Sequence, residues 1–175
     1  MTHDEDILFR EVQRFRQPVL WLVLAGTLLA TVGGFGGLMA SDVAHGLPWP
    51  QWPLVICGGL SVLLVLGMGG LFWAARLVVE VRPGGLYLRF SPFHRSFRQV
   101  PLEGVTACRA VTYSPVREYG GWGIKPALRG DGKAYNVSGN RGVRLEYADG
   151  RHLLIGSQRA EELAQTVEAS LVGEA

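Results

Sequence analysis

Between Pro18 and Ala75 the chain carries no Lys or Arg, one carboxylate (Asp42) and one histidine (His45), and this stretch limits what the sequence can fold into more than any other feature. It holds two apolar runs, VLWLVLAGTLLATVGGFGGLMA from Val19 to Ala40 (22 residues) and WPLVICGGLSVLLVLGMGGLFWAA from Trp52 to Ala75 (24 residues). A helix needs roughly 20 apolar residues to cross about 30 Å of hydrocarbon. Each run is long enough, and SDVAHGLPWPQ between them leaves room to turn. The composition agrees: 48% hydrophobic against 18% charged is apolar for a water-soluble domain. The expectation is a transmembrane hairpin over residues 18–75, with spans at about 19–40 and 52–75. The first run is longer than the core of a secretory signal and no A-x-A pattern follows it, so cleavage is not expected.

Basic residues flank the hairpin on one side only. Arg10, Arg14 and Arg16 precede it, Arg76 and Arg82 follow it, and the connection has no Lys or Arg. By the positive-inside rule both termini are cytoplasmic and the protein is multi-pass. Trp21, Phe72 and Trp73 then fall at the inner interface, Trp49 and Trp52 at the outer one, where amphipathic rings prefer to lie. Within the first span Gly26, Ala30 and Gly34 recur every four residues, as do Gly33 and Gly37. Small residues at that spacing let helix backbones approach. Packing of the two spans on each other is the first reading, and contact with another membrane protein or a second copy is the alternative. Neither span contains a charge, which argues against a proton or ion pathway built from this chain alone.

Residues 1–17 read as an amphipathic interfacial helix. Thr2 and Glu5 form a capping-box pattern, and Leu8, Val12, Phe15 and Val19 share one helical face before Pro18 bends the chain into the membrane. After Arg76 the pattern changes to short alternating segments punctuated by Gly, Pro and Asp, the mark of antiparallel strands. Leu77, Val79 and Val81, a Pro-Gly-Gly turn, then Leu86, Leu88 and Phe90 predict a hairpin. Strands follow at about 93–100 and 105–113, then KAYNV, then VRLEY and HLLIG joined by Ala148-Asp149-Gly150. SQRAEELAQTVEASL places Leu163, Val167 and Leu171 on one helical face. The fold class expected is an α+β membrane protein. Behind the hairpin, about seven strands over residues 76–175 form a small, partly open antiparallel β-barrel capped by a C-terminal helix.

EVQRFRQ before the first span, REYGGWGIK, AYNVSGNRGVRLEY and DGRHLLIGSQRAEELAQTVEASL together resemble bacterial pleckstrin-homology-like (PH-like) domains carried behind a two-helix membrane hairpin in small proteins of uncharacterised function. The resemblance implies a PH-like module on the cytoplasmic face of a bacterial inner membrane and carries over no catalytic residue. General PH domains that bind inositol phosphates do so at an open basic loop between the first two strands. That connection reads here as only Arg82-Pro83-Gly84-Gly85, a departure that speaks against classical phosphoinositide binding.

Sites for chemistry fail on spacing. GxGxxG would need glycine where Pro126 stands, and GDGK at Gly130–Lys133 lacks both the earlier glycine and the following Ser or Thr of a P-loop. His3, His45, His94 and His152 are scattered, G-x-S-x-G does not occur, and Cys108 lies in an alternating strand. The chain is expected to be non-enzymatic, without cofactor or metal. The glycines of YGGWGIK read as a bend before a short strand, with Trp122 and Ile124 facing the core.

Charge is the feature with functional content. From Arg76 to Ser157 there are 13 Lys or Arg against 6 Asp or Glu, a net +7, whereas the segment from Gln158 onward is net −3. Near anionic lipid each basic side chain contributes on the order of 1 kcal/mol, so anionic lipid headgroups are one candidate partner beside the bilayer itself. No recognition helix or aromatic-and-basic RNA signature accompanies the charge, and nucleic acid is not expected. The expected interaction surface is Arg117, Glu118 and Tyr119 with the turns carrying Arg129, Lys133 and Arg141, because loops carry function more often than strands do.

Overall fold

Alternation of apolar and polar residues sets the strands, and the computed structural model, which describes residues 7–46 and 52–173, places them in two sheets. In chain order the elements are β1 (Phe9–Arg14), α1 (Pro18–Ala44), α2 (Trp52–Ala74), β2 (Arg76–Arg82), β3 (Gly85–Ser91), β4 (Arg98–Val100), β5 (Val105–Thr112), α3 (Pro115–Tyr119), β6 (Gly123–Pro126), β7 (Gly132–Asn136), β8 (Arg141–Tyr147), β9 (His152–Gly156) and α4 (Ala160–Gly173). They divide into two units. One comprises Met1–Phe15 with Ala75–Ala175, the other Arg16–Ala74.

The first unit corrects the expected domain boundary. Residues 9–14 form a strand, not an interfacial helix, and pair antiparallel with β2 from Phe9↔Val81 to Arg14↔Arg76. The apolar helices are therefore inserted between the first two strands of a sheet, and the 76–175 domain gains a strand from before them. Arg82–Gly85 turns out to join the second and third strands. The period misled because Leu8, Val12 and Phe15 suit a helix, whereas the strand's buried face presents Phe9, Glu11 and Gln13. Two of those three are polar, and their partners lie far along the chain, with Gln13 Oε1 left without one among the described residues. Glu11 accepts from Ser157 Oγ at 2.5 Å and from the Gln158 backbone N–H at 2.8 Å, while Gln13 Nε2 donates to the Gly156 carbonyl at 2.6 Å. The Thr2–Glu5 capping box and Trp49 lie outside the described residues.

The sheets run β1-β2-β3-β4 and β5-β8-β9-β7-β6 and are not closed into a barrel. The β2–β3 and β8–β9 hairpins fall where the turns predict them. The β7–β9 pair is parallel, which departs from the expected all-antiparallel order and brings Gly132 opposite His152. Leu77, Val79, Val81, Leu86, Leu88 and Phe90 from one sheet meet Val143, Leu145 and Ile155 from the other, beneath Leu163 and Val167 of α4. A second, smaller cluster of Tyr113, Tyr119, Ala134 and Leu154 lies under α3. The bend reading of YGGWGIK holds for the glycines: Gly120, Gly121 and Gly123 have φ of 68°, 124° and 121°, which other residues rarely adopt. Ile124 packs on the core as expected, but Trp122 is on the surface with Nε1 donating to the Gly139 carbonyl at 3.0 Å.

The second unit is a pair of helices long and apolar enough to cross a membrane. Pro18 opens α1 at a position where its missing N–H costs nothing. Trp21 meets Trp73 edge to face at 6.0 Å between centroids, and Phe35 closes over Gly58, where an added Cβ would lie 3.0 Å from the ring. The hydroxyls of Thr27, Thr31 and Ser61 donate to carbonyls one turn back at 2.8 Å, so these polar groups are satisfied within their own helices. The expected contact stripe does not join the two helices. Gly26, Ala30, Gly33, Gly34 and Gly37 are exposed, and a Cβ on any of the four glycines would meet nothing within 4 Å.

Candidate binding surface

The short α3 exists because Pro115 pre-sets its first turn, and Gly120, at φ 68°, ends it with its N–H donating to the Val116 carbonyl. Its Glu118 carbonyl accepts the Leu128 N–H at 2.8 Å, which folds the segment after β6 back over α3. The result is a cavity of about 690 Å³ on the outer face of the second sheet, lined by Arg117, Glu118, Tyr119, Leu128, Arg129, Arg144 and His152 among others. Four of the six predicted surface residues thus converge on one site. Glu118 is engaged there: it accepts from Arg144 Nη2 at 3.2 Å and from the Ser114 N–H at 2.6 Å. Arg117 and Arg129 have no carboxylate partner among the described residues, and Arg144 Nε is buried without a hydrogen-bond partner. Burial raises the Tyr119 hydroxyl above the usual phenol range, opposed by the neighbouring Arg144. It stays protonated at neutral pH.

Lys133, the fifth predicted residue, lines a second cavity of about 550 Å³ where the two sheets stay apart, together with Arg98, Glu103, Asp131, Tyr135, Tyr147 and Arg151. Lys133 Nζ sits 5.1 Å from the centre of the Tyr135 ring, whose other neighbour is His94 at 6.0 Å. His94 accepts the Phe90 N–H at Nδ1, 3.3 Å away, a bond that requires that nitrogen unprotonated. Burial, and then the charges of Arg98 and Lys133, hold its pKa below 6.5. His152 lines both cavities, so they adjoin at the first residue of β9. Arg141 lies apart and pairs with Glu161 of α4.

Sequence reading missed Arg144, His152 and Arg98. Arg144 is visible as the outward residue of VRLEY, but its place beside Glu118 depends on the fold of α3, and His152 reaches the site only through the parallel β7–β9 pair. Among the described residues no three His, Cys, Asp or Glu side chains gather to hold a metal ion. Cys108 is buried, with Sγ 3.8 Å from the Ala164 carbonyl, and burial pushes its thiol up to about 12, so it is a poor nucleophile at neutral pH.

A model described as a family of unknown function, DUF6141, matches residues 2–173. The chain belongs to DUF6141. The match covers the strand before the apolar helices as well as the strands and helices after them, so this DUF6141 chain has its inserted hairpin within the family pattern. No curated protein and no solved structure matches it.

Proposed function

We propose that this protein is a non-enzymatic, membrane-anchored PH-like module on the cytoplasmic face of a bacterial inner membrane, whose two adjoining cavities dock an acidic segment of a partner protein. The PH-like reading draws on a four-stranded sheet followed by a second sheet, with one C-terminal helix against both. The anchor is the inserted pair of apolar helices. The observation that carries the docking site is the gathering of Arg117, Arg129 and Arg144 around one cavity whose single carboxylate, Glu118, is already engaged. Unpaired guanidinium groups favour a planar anion that accepts two hydrogen bonds. Photo-crosslinkers placed at 117 and 129 in the full chain, in native membranes, test it. A defined adduct that disappears with Arg144→Gln supports the site. Adducts to lipid alone would overturn it.

A second reading rests on the exposed stripe Gly26, Ala30, Gly33, Gly34 and Gly37, where a Cβ on any of the four glycines would meet nothing within 4 Å. Under it the protein is an accessory subunit of a transporter or envelope complex, or a homo-oligomer, contacted through α1. Crosslinks from position 34, with positions 117 and 129 silent, would favour it.

A further inference from the structure

The outer face of the β1-β2-β3-β4 sheet carries charge that the cavities do not account for. Alternation buries Phe9, Glu11 and Gln13 on the inner side of β1 and turns Arg10 and Arg14 outward. The register sets Arg10 opposite Glu80, Arg14 opposite Arg76, and Arg89 opposite Val78, and Arg82 follows Glu80 by two on the same face. Five arginines therefore share one sheet face with a single carboxylate. Glu80 is only 2% exposed and is shared by Arg82, through Nε at 2.9 Å, and Arg10, at 3.4 Å. Its charge is used within the sheet.

Two of the five are held at an aromatic ring, and three, Arg14, Arg76 and Arg89, have no carboxylate partner among the described residues. Arg82 and Arg89 both lie over the Phe97 ring, at 5.0 and 4.8 Å from its centroid, and Arg82 also lies 5.2 Å from the centre of Tyr87. Two guanidinium groups at one ring concentrate positive charge there. Neither Arg89 nor Arg76 has a carboxylate partner among the described residues, and Arg89 Nε is buried with no hydrogen-bond partner. Such an array is relieved by an external anion that accepts from several guanidinium groups.

Chain connectivity selects among anions. Arg14 is four residues before Pro18 and Arg76 two residues after Ala74, so this end of the sheet stays within a few residues' reach of the apolar helices. We infer that the outer face of β1, β2 and β3 is a binding surface for phosphate-bearing headgroups of anionic lipid, organised by Arg76, Arg82 and Arg89 with Phe97. It rests on the membrane-anchored reading but uses a surface separate from the docking cavities.

The test is calorimetric titration of the full chain, in zwitterionic micelles, with short-chain phosphatidylglycerol at low and high salt. Saturable binding that weakens with salt is expected, with none for short-chain phosphatidylcholine. Arg76→Gln with Arg89→Gln, which breaks no ion pair, should weaken it about thirtyfold, since each basic side chain near anionic lipid is worth about 1 kcal/mol. The lysine pair at the same positions keeps the charge and should keep most of the affinity. Arg117→Gln with Arg129→Gln should bind as the unsubstituted chain does, which separates failure here from failure of the docking site. Equal binding of phosphatidylcholine, or an unaffected Arg76→Gln/Arg89→Gln chain, overturns the proposal. So does displacement of the lipid by millimolar inorganic phosphate, which would assign the site to a soluble phosphate.

Discussion

A Cβ built on Gly142 would lie 2.5 Å from the Ile155 carbonyl oxygen and 3.1 Å from the Gly156 Cα, and one on Gly156 3.0 Å from Asn136 Cβ. One built on Gly26, Gly33, Gly34 or Gly37 meets nothing. The same residue type therefore has opposite meanings in the two units. Between the strands glycine makes room for neighbouring backbone, and along α1 it leaves a surface bare. The largest expected effect follows. Gly142→Ala forces β8 and β9 apart against backbone that cannot yield as a side chain would, at a cost of about 3 kcal/mol. Hydrogen exchange across residues 141–156 should accelerate while α1 and α2, which form a separate unit, keep their protection.

The polar groups divide the units in the same way. In the helices the hydroxyls of Thr27, Thr31 and Ser61 are satisfied one turn back, whereas in the sheets Glu11 is satisfied 146 and 147 residues away. Glu11→Ala strands the Ser157 hydroxyl and the Gln158 N–H, at a cost of about 2 kcal/mol. Chemical denaturation monitored at β8 and β9 should move to lower denaturant, and the helices should not respond. This long-range bond also explains what was illegible in the sequence. The apolar helices and the β2–β3 and β8–β9 hairpins announce themselves by local period and turn residues. β1 does not, because the polar residues on its buried face make sense only once the loop before α4 is in place.

The candidate site was legible in a similarly partial way. Arg117, Glu118, Tyr119 and Arg129 were readable as loop residues, and the fold then gathered them, but the parallel pairing that brings His152 between the cavities leaves no local mark. His94, beside Arg98 and Lys133, supplies a pH handle on the open edge between the sheets. Its folded pKa lies below 6.5, so the folded state favours the neutral ring. The stability it contributes is complete above pH 6.5 and is lost as the pH falls from there through the folded value. Between pH 7 and 5, His94→Gln should flatten the decline in stability of the sheet unit, measured as the denaturation midpoint against pH. An unchanged slope would mean that burial and the charges of Arg98 and Lys133 do not hold the ring neutral.

The smallest effect should have the opposite sign. Gly34 lies in the interior of α1 and an added Cβ would meet nothing within 4 Å, so Gly34→Ala removes the backbone entropy cost of glycine without creating a clash. The gain is at most about 1 kcal/mol. Thermal melting of the full chain in micelles, followed by far-ultraviolet circular dichroism, should show α1 unchanged or slightly more stable. Gly58→Ala is the paired control: its Cβ would press on the Phe35 ring at 3.0 Å, and the helix pair should loosen unless that ring turns aside. If Gly34→Ala in native membranes is destabilising while in micelles it is not, the difference is a contact made only in the membrane. The bare stripe of α1 would then be the face on which a second helix rests, and the contrast between glycines that make room and glycines that leave a surface would become one between contacts within the chain and contacts outside it.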